Sequence, residues 1–334
     1  LAPAVLAAAQ ADALQWLADD RLRHTVALAL HNNRDLRIAA DNVAKARAQY
    51  GIARADQLPS ITAQLQGQRS RSSADVSNST RLVNEQVSAS IGFASYEVDL
   101  WGRIRNLNEA AWQQFLQVQE NRRGVEIALI AEVANAWWSL AADQQLLHIT
   151  HSTLASRAHS LALTEARYQH GAASALEVAQ QRSQWQQVRA DAAALQGQIE
   201  QDMNALQLLV GRPLQKQWLP APPGAAHEPA DAPAWGLDLP PLPPGLPAQV
   251  LWQRPDIQQA EHQLRAANAN IGAARAAFFP TISLTSSLGS ASNELSAVLG
   301  SGTRTWSFIP NISLPLFDAG RLQGQLEQRQ AERD

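Results

Sequence analysis

The chain has 334 residues, and its 46% hydrophobic content is filled mainly by Ala and Leu, with aromatics at only 6%. Such side chains suit long, closely packed helices rather than one wide core, and length alone allows two or three domains. A net charge of −3 with no Lys/Arg block argues against nucleic acid as a partner, and the lack of any cysteine excludes disulfides, thiolate catalysis and Cys-based metal sites.

Residues 1–57 are expected to hold an N-terminal segment and the first helices, the clearest running from about Arg34 to Gln57. Leu1–Gln10 lacks the basic start and cleavage pattern of a signal peptide, so a mature or trimmed chain is expected. Residues 58–102 read as a β-hairpin. After Pro59, Ile61, Ala63 and Leu65 alternate with Thr62, Gln64 and Gln66, and the return strand sets Val87, Ala89, Ile91 and Phe93 against Ser88, Ser90 and Ala94.

Residues 103–210 form a predicted helical hairpin. No proline occurs from about Arg103 to Tyr168, and Gly124 is the only glycine, so one helix of roughly 66 residues is expected, ~100 Å long at ~1.5 Å per residue. Its second half carries a heptad ladder, Val133, Leu140, Leu147, Leu154, Leu161 and Tyr168, which calls for a coiled-coil neighbour. Gly171 can cap this helix and Ser174 can start the next, which runs to about Val210 with Val188, Ala192, Leu195, Ile199 and Leu206 on one seam.

Residues 211–250 are a Pro-rich strap, with eleven of the seventeen prolines lying between Pro213 and Pro247. Residues 251–279 read as a second helix and residues 280–317 as a second hairpin. In that hairpin Ile282, Leu284, Ser286 and Leu288 alternate with Thr281, Ser283 and Thr285, and Trp306, Phe308, Ile312 and Leu314 alternate with Ser307, Asn311 and Ser313. Residues 318–334 begin another helix.

The two sides of the strap repeat each other. Asp35-Leu36 through Gly51-Ile52-Ala53-Arg54-Ala55 to Pro59-Ser60-Ile61 matches Asp256-Ile257 through Gly272-Ala273-Ala274-Arg275-Ala276 to Pro280-Thr281-Ile282 without a gap, at an offset of 221. Gly102-Arg103 likewise corresponds to Gly320-Arg321, so each half reads helix, strand, strand, helix.

No window approaches the ~18 uninterrupted apolar residues of a membrane-spanning helix, so any membrane crossing must use strands. Alternating strands of about ten residues fit a tilted crossing with the apolar face to lipid and the polar face to a watery lumen. Two soluble hairpins packed on helices are the alternative. Four strands cannot seal a barrel in lipid, because open edges leave backbone groups unpaired. Three chains would supply 3 × 4 = 12 strands.

Three stretches resemble the TolC-like outer-membrane factors: Leu246-Pro247 to Trp252-Gln253-Arg254-Pro255-Asp256-Ile257; Ala273-Ala274-Arg275-Ala276-Ala277-Phe278-Phe279-Pro280-Thr281-Ile282-Ser283-Leu284; and Trp306 to Ile312-Ser313-Leu314-Pro315-Leu316-Phe317-Asp318-Ala319-Gly320-Arg321. More narrowly they are similar to the lipoprotein branch partnered with resistance-nodulation-division pumps. Tyr168-Gln169-His170-Gly171 with Ser174-Ala175-Leu176-Glu177-Val178 resembles that family's helical-hairpin tip.

The resemblance implies a mixed α and β fold: a homotrimer with a twelve-stranded membrane β-barrel, continued by a long α-helical coiled-coil barrel that the strap wraps as an equatorial belt. It implies a passive exit duct of a tripartite efflux system, opened by a periplasmic adaptor (membrane fusion protein) and an inner-membrane resistance-nodulation-division pump. A type I secretion or metal-efflux duct of the same fold, or a soluble periplasmic adaptor, stays as an alternative. Family members of this branch usually begin with an acylated cysteine, which this chain lacks. They also continue past the second hairpin, so the helix beginning near Arg321 is expected to extend about 50 residues further and meet a partner.

No phosphate-cradling glycine loop, nucleophile elbow or HExxH occurs, so no enzyme activity and no cofactor or metal is expected. His148 and His151 lie three apart on the long helix without a carboxylate at the right step, which reads as a solvated coil surface. Asn78-Ser79-Thr80 and Asn311-Ile312-Ser313 match a glycosylation sequon, which is without meaning in a bacterial outer-membrane protein. The functional expectations fall on the hairpin tip. Gly171, Ala172 and Ser174 are small and leave backbone open to an adaptor, although Gly171 serves equally as a cap. By resemblance, Glu177 lies near the closed periplasmic mouth; a solvated glutamate is the plain alternative. Gly102, Arg103, Gly320 and Arg321 mark strand-to-helix transitions and are read as structural.

Overall fold

The computed structural model describes Leu17 and residues 19–71, 83–220, 248–298 and 300–334. Among them the elements run α1 (Asp20–Asn32), α2 (Arg34–Ala55), β1 (Thr62–Arg71), β2 (Val83–Glu97), α3 (Arg103–Gln169), α4 (Ala175–Val210), α5 (Pro255–Ala276), β3 (Thr281–Ser292), β4 (Arg304–Ser313) and α6 (Arg321–Arg333), with short 3-10 turns at Lys216–Trp218, Ala248–Gln253 and Leu295–Ala297. Most of the Pro-rich strap, residues 221–247, and the Asn78 sequon lie outside the described residues. The chain divides into two compact units, residues 1–41 with 122–250, and residues 42–121 with 251–334.

The first unit is a helical core. Leu22, Val26 and Ala29 of α1 are buried with Leu129, Val133, Trp137 and Leu140 of α3 and Ile199, Leu206 and Val210 of α4. The heptad ladder follows its expected face but loses cover toward the turn. Val133 and Leu140 are fully buried and Leu147 and Leu154 half-buried; Leu161 is buried again, and only Tyr168, at 50%, stands exposed. Part of α3 reaches a mean hydropathy of 1.3 over eighteen residues, enough by composition for a membrane span. Leu129, Val133, Trp137 and Leu140 of this helix are buried in the helical core, while Ile127 stays exposed.

One contact near the strap has no signal in local sequence. The Trp218 carbonyl accepts from Thr25 Oγ1 at 3.2 Å and from Trp137 Nε1 at 3.3 Å, while the Trp218 ring stacks on His24 with centroids 3.6 Å apart. Thr25, wholly buried, also lies 2.9 Å from Arg21 O of its own helix, so its single hydroxyl proton is shared between two carbonyls.

The second unit holds one antiparallel sheet in the order β1-β2-β3-β4. The two expected hairpins are joined through β2 and β3. Its register separates two faces. The rows Ala63–Ile91–Leu288–Trp306 and Leu65–Ala89–Ser290–Arg304 lie on one side. The rows Thr62–Gly92–Ser287–Ser307 and Gln64–Ser90–Gly289–Thr305 lie on the other, where Ser287 Oγ and Ser307 Oγ are 2.7 Å apart. β2 is longer than expected, at 15 residues, and a bulge between Phe93 and Tyr96, with Ser95 at φ +55°, accounts for one of them and bends the strand.

Candidate functional site

Helix α3 is stopped at the tip by Gly171, whose φ of +71° is a left-handed conformation that costs glycine little. The Gly171 amide donates to Tyr168 O at 3.0 Å, and the Ala172 amide to Arg167 O at 2.8 Å. The Arg167 guanidinium then reaches over the turn to Ala172 O, 3.0 Å away, so the last carbonyls of the helix and the turn itself are held.

Ser174 starts α4 with a reciprocal capping box. The Glu177 amide donates to Ser174 Oγ at 3.2 Å, and the Ser174 amide and hydroxyl donate to Glu177 Oε1 at 3.4 and 3.1 Å. Ser174-Ala175-Leu176-Glu177 carries the Ser-x-x-Glu spacing that signals this box, a signal that reading Glu177 as a mouth residue or a solvated glutamate leaves unused. The two arms are tied below the tip by Arg182 to Glu165 at 2.8 Å and Arg157 to Gln184 at 3.0 Å.

Gly171, Ala172, Ser174 and Glu177 are all exposed. On the two arms next to the turn Tyr168 and Leu176 are exposed by 50 and 68%. His148 and His151 are exposed on α3.

At the other end of the second unit's sheet, strands turn into helices at the remaining residues singled out. Gly102 and Gly320 have φ of +81° and +83°, where a Cβ would be strained. An aspartate caps each helix that follows. Asp99 Oδ2 accepts from the Arg105 amide at 2.8 Å, and Asp318 Oδ2 from the Leu322 amide at 2.8 Å. Burial opposes ionisation of Asp99, but the Arg105 and Ile104 amides and the Arg105 guanidinium outweigh it and hold its carboxyl below the ordinary range. Arg103 pairs with Glu97, and that bond raises the guanidinium pKa. Arg321 is exposed and, among the described residues, makes no ion pair.

Next to the first transition, Trp101 stacks on Phe279 at 4.9 Å and donates Nε1–H to Pro280 O at 2.7 Å, tying the end of one hairpin to the start of the other.

The sheet leaves both β1 and β4 as edges with one unpaired side. Its apolar face is bare: Leu65 is 69% exposed, Leu288 62%, Trp306 78% and Ile312 68%. A bare apolar face of this kind marks a surface that meets lipid or another protein, and long open edges invite further strands.

A family model described as outer membrane efflux protein matches residues 25–212 and 246–334. The solvent efflux pump outer membrane protein SrpC of Pseudomonas putida is 42% identical over 330 residues, which cover 98% of this chain and 68% of SrpC. A crystal structure of a membrane protein from Pseudomonas aeruginosa superposes with a TM-score of 0.88 at 41% identity, covering 96% of this chain and 72% of that one. The open-state outer membrane channel MtrE of Neisseria gonorrhoeae superposes with a TM-score of 0.81 at 34% identity, covering 96% and 69%.

Proposed function

The chain belongs to the outer membrane efflux protein family, and from that membership we propose that it works as the exit duct of a tripartite efflux system. It is an outer-membrane protein of efflux, with the mixed helical and four-stranded fold of such channels. The observation that carries the proposal is the four-stranded sheet with two unpaired edges and a bare apolar face. In hydrocarbon every unpaired backbone group costs several kcal/mol, so the edges are closed by copies of the same chain. Three copies give 3 × 4 = 12 strands, with Ser, Thr and Gln of the other face lining a wet bore.

Such a bore holds no cargo tightly, since its described strands present mainly small neutral side chains on that face. Transport through it is passive and selection rests with the pump. Organic solvents, named for SrpC, and other small organic molecules such as drugs are the proposed cargo.

The tip made by Gly171, Ala172 and Ser174 is the proposed docking point for a periplasmic adaptor, with an inner-membrane resistance-nodulation-division pump behind it. Glu177 belongs to the ring that shuts the periplasmic mouth, its carboxylate being anchored by Ser174. The strap is the proposed equatorial belt, and its first residues are pinned at Trp218. An internal repeat is supported by the two 22-residue helices, which start at Arg34 and at Pro255, 34 + 221 = 255.

Planar-bilayer recording of the protein extracted from outer membranes, with the oligomer counted by native mass spectrometry, tests this function. Stepwise conductance from a trimer is expected; a monomer without conductance would refute it.

A further inference from the structure

The described strands carry five charged residues: Arg69, Arg71, Glu85, Glu97 and Arg304. Glu97 lies at the helix end of the sheet and is paired with Arg103. The other four lie at the loop ends of their own strands and share the apolar face, Arg304 in the Leu65 row and Arg69 and Arg71 two and three same-face positions further out. Counting by twos from Leu65 along β1 reaches Gly67, Arg69 and Arg71. Arg69 is opposite Glu85, and Arg304 is opposite Ser290, in the row that contains Leu65 and Ala89. Arg304 is two residues beyond Trp306 on the same side of β4.

From this placement we propose that the loop end of the apolar face is a binding strip for a phosphorylated glycolipid of the outer leaflet, its acyl chains lying on the apolar rows and its sugar-linked phosphates on the arginines. The inference rests on the outer-membrane channel reading, which sets the loop end outward and the helix end toward the periplasm.

Charge and geometry single out this ligand. Three arginines against Glu85 and the neighbouring Glu294 leave a net charge of +1 at this end, while further along the same face lie Leu65, Ile91, Leu288 and Trp306. Arg69 is engaged, with Nε 2.6 Å from Glu85 Oε1, and Glu294 of the β3–β4 connection lines the same hollow as Arg69 and Glu85. Arg71 and Arg304 are exposed and, among the described residues, pair with no carboxylate. Guanidinium groups offer a planar two-pronged donor that fits a phosphate, and an indole just inward of one marks the headgroup boundary.

Arg71 and Arg304 also stand on the two edge strands, β1 and β4. When neighbouring copies close the barrel, β4 of one protomer would meet β1 of the next, which sets Arg304 of one chain and Arg71 of the next along the same seam. A lipid bound by both would bridge protomers.

The test uses protein extracted from outer membranes, delipidated in detergent and titrated with a bisphosphorylated acyl-disaccharide glycolipid while bound lipid is counted by native mass spectrometry. The R69Q/R71Q/R304Q variant is expected to bind it about tenfold or more weakly. Wild-type protein is expected to show the same loss toward the enzymatically dephosphorylated glycolipid, an arm that needs no variant. Phosphatidylglycerol vesicles and free inorganic phosphate are expected to compete poorly.

Equal binding by the variant, equal binding of the phosphate-free glycolipid, or full competition by either control would overturn the proposal. Should the triple variant fail to assemble, R71K/R304K keeps charge while losing the two-pronged donor, and it is expected to bind at an intermediate level; wild-type binding by that variant would also overturn it. Single-channel conductance of the same samples separates the two readings. A conducting wild type indifferent to the lipid phosphates sinks this inference alone, whereas a wild type that never conducts sinks the channel reading.

Discussion

The Glu97 carboxylate receives two bonds from the Arg103 guanidinium, Nε at 2.8 Å and Nη2 at 2.6 Å, joining the last residue of β2 to the first of α3. This two-bonded pair, half-buried on both sides, holds the joint where the chain changes from strand to helix beside Gly102. Breaking one side strands a charge. Arg103→Met is expected to destabilise the protein by about 1–2 kcal/mol, read as a lower thermal midpoint, and adding Glu97→Gln should restore part of the loss. Equal midpoints for wild type and R103M would contradict it.

The tip prediction concerns Ser174. Ser174→Ala removes the acceptor for the Glu177 amide and should cost about 1 kcal/mol locally, seen as faster hydrogen exchange at Ala175–Val178 with little change in the core residues around Leu140. Gly171→Val puts a β-branched residue at φ +71° and should distort the turn and weaken adaptor binding more than S174A does. Adaptor affinity measured by pull-down against both variants checks the order.

A third prediction depends on pH. Burial raises the pKa of Asp143 on α3, with further contributions from hydrogen bonding to Asp202 of α4 and from that carboxylate's charge. Asp202 Oδ1 accepts from Gln198 at 2.8 Å, while its Oδ2 is buried without a partner unless a proton is shared. A raised folded value means that the folded state binds more protons, so this pair favours folding below the ordinary aspartate value of 3.8 and that contribution is lost as pH rises through the higher folded value. Asp143→Asn is therefore expected to raise stability at neutral pH and to flatten this part of the profile. Denaturant titrations at pH 4 and 7 check it, and a D143N protein less stable at pH 7 would contradict the argument.

Trp218 yields a fourth. Trp218→Ala keeps the backbone carbonyl that Thr25 and Trp137 use but removes the ring stacked on His24. A loss of about 1–3 kcal/mol is expected, with earlier protease cutting near residues 213–220. Unchanged protection there would show that the strap is held elsewhere.

Much of the architecture was readable because it depends on local periodicity. The proline-free run from Arg103 and the heptads from Val133 specify a long coiled helix, which spans Arg103–Gln169. The alternation around Leu65 and Trp306 specifies which side of each strand is apolar, and the register keeps those residues on one face. What escaped depends on contacts distant in sequence or on backbone detail. The bulge at Ser95 bears no composition signal, the clasp of Trp218 on His24 joins residues far apart in the chain, and the pairing of β2 with β3 bridges the whole strap. At the tip, small residues were legible, but the carboxylate of Glu177 turned out to be engaged in capping its own helix.

The central claim is that β1 and β4 are completed by neighbouring chains, and the lack of cysteine among these 334 residues, the strands included, lets introduced pairs report on it. Gln66→Cys on β1 can be combined in turn with Thr305→Cys, Ser307→Cys and Ile309→Cys on the same face of β4, in protein kept in native outer membranes. Within one sheet the two edges are about 14 Å apart, three strand spacings, too far for a disulfide. Oxidation is expected to give a covalent trimer for at least one pair; a scan that yields only monomers would contradict the account.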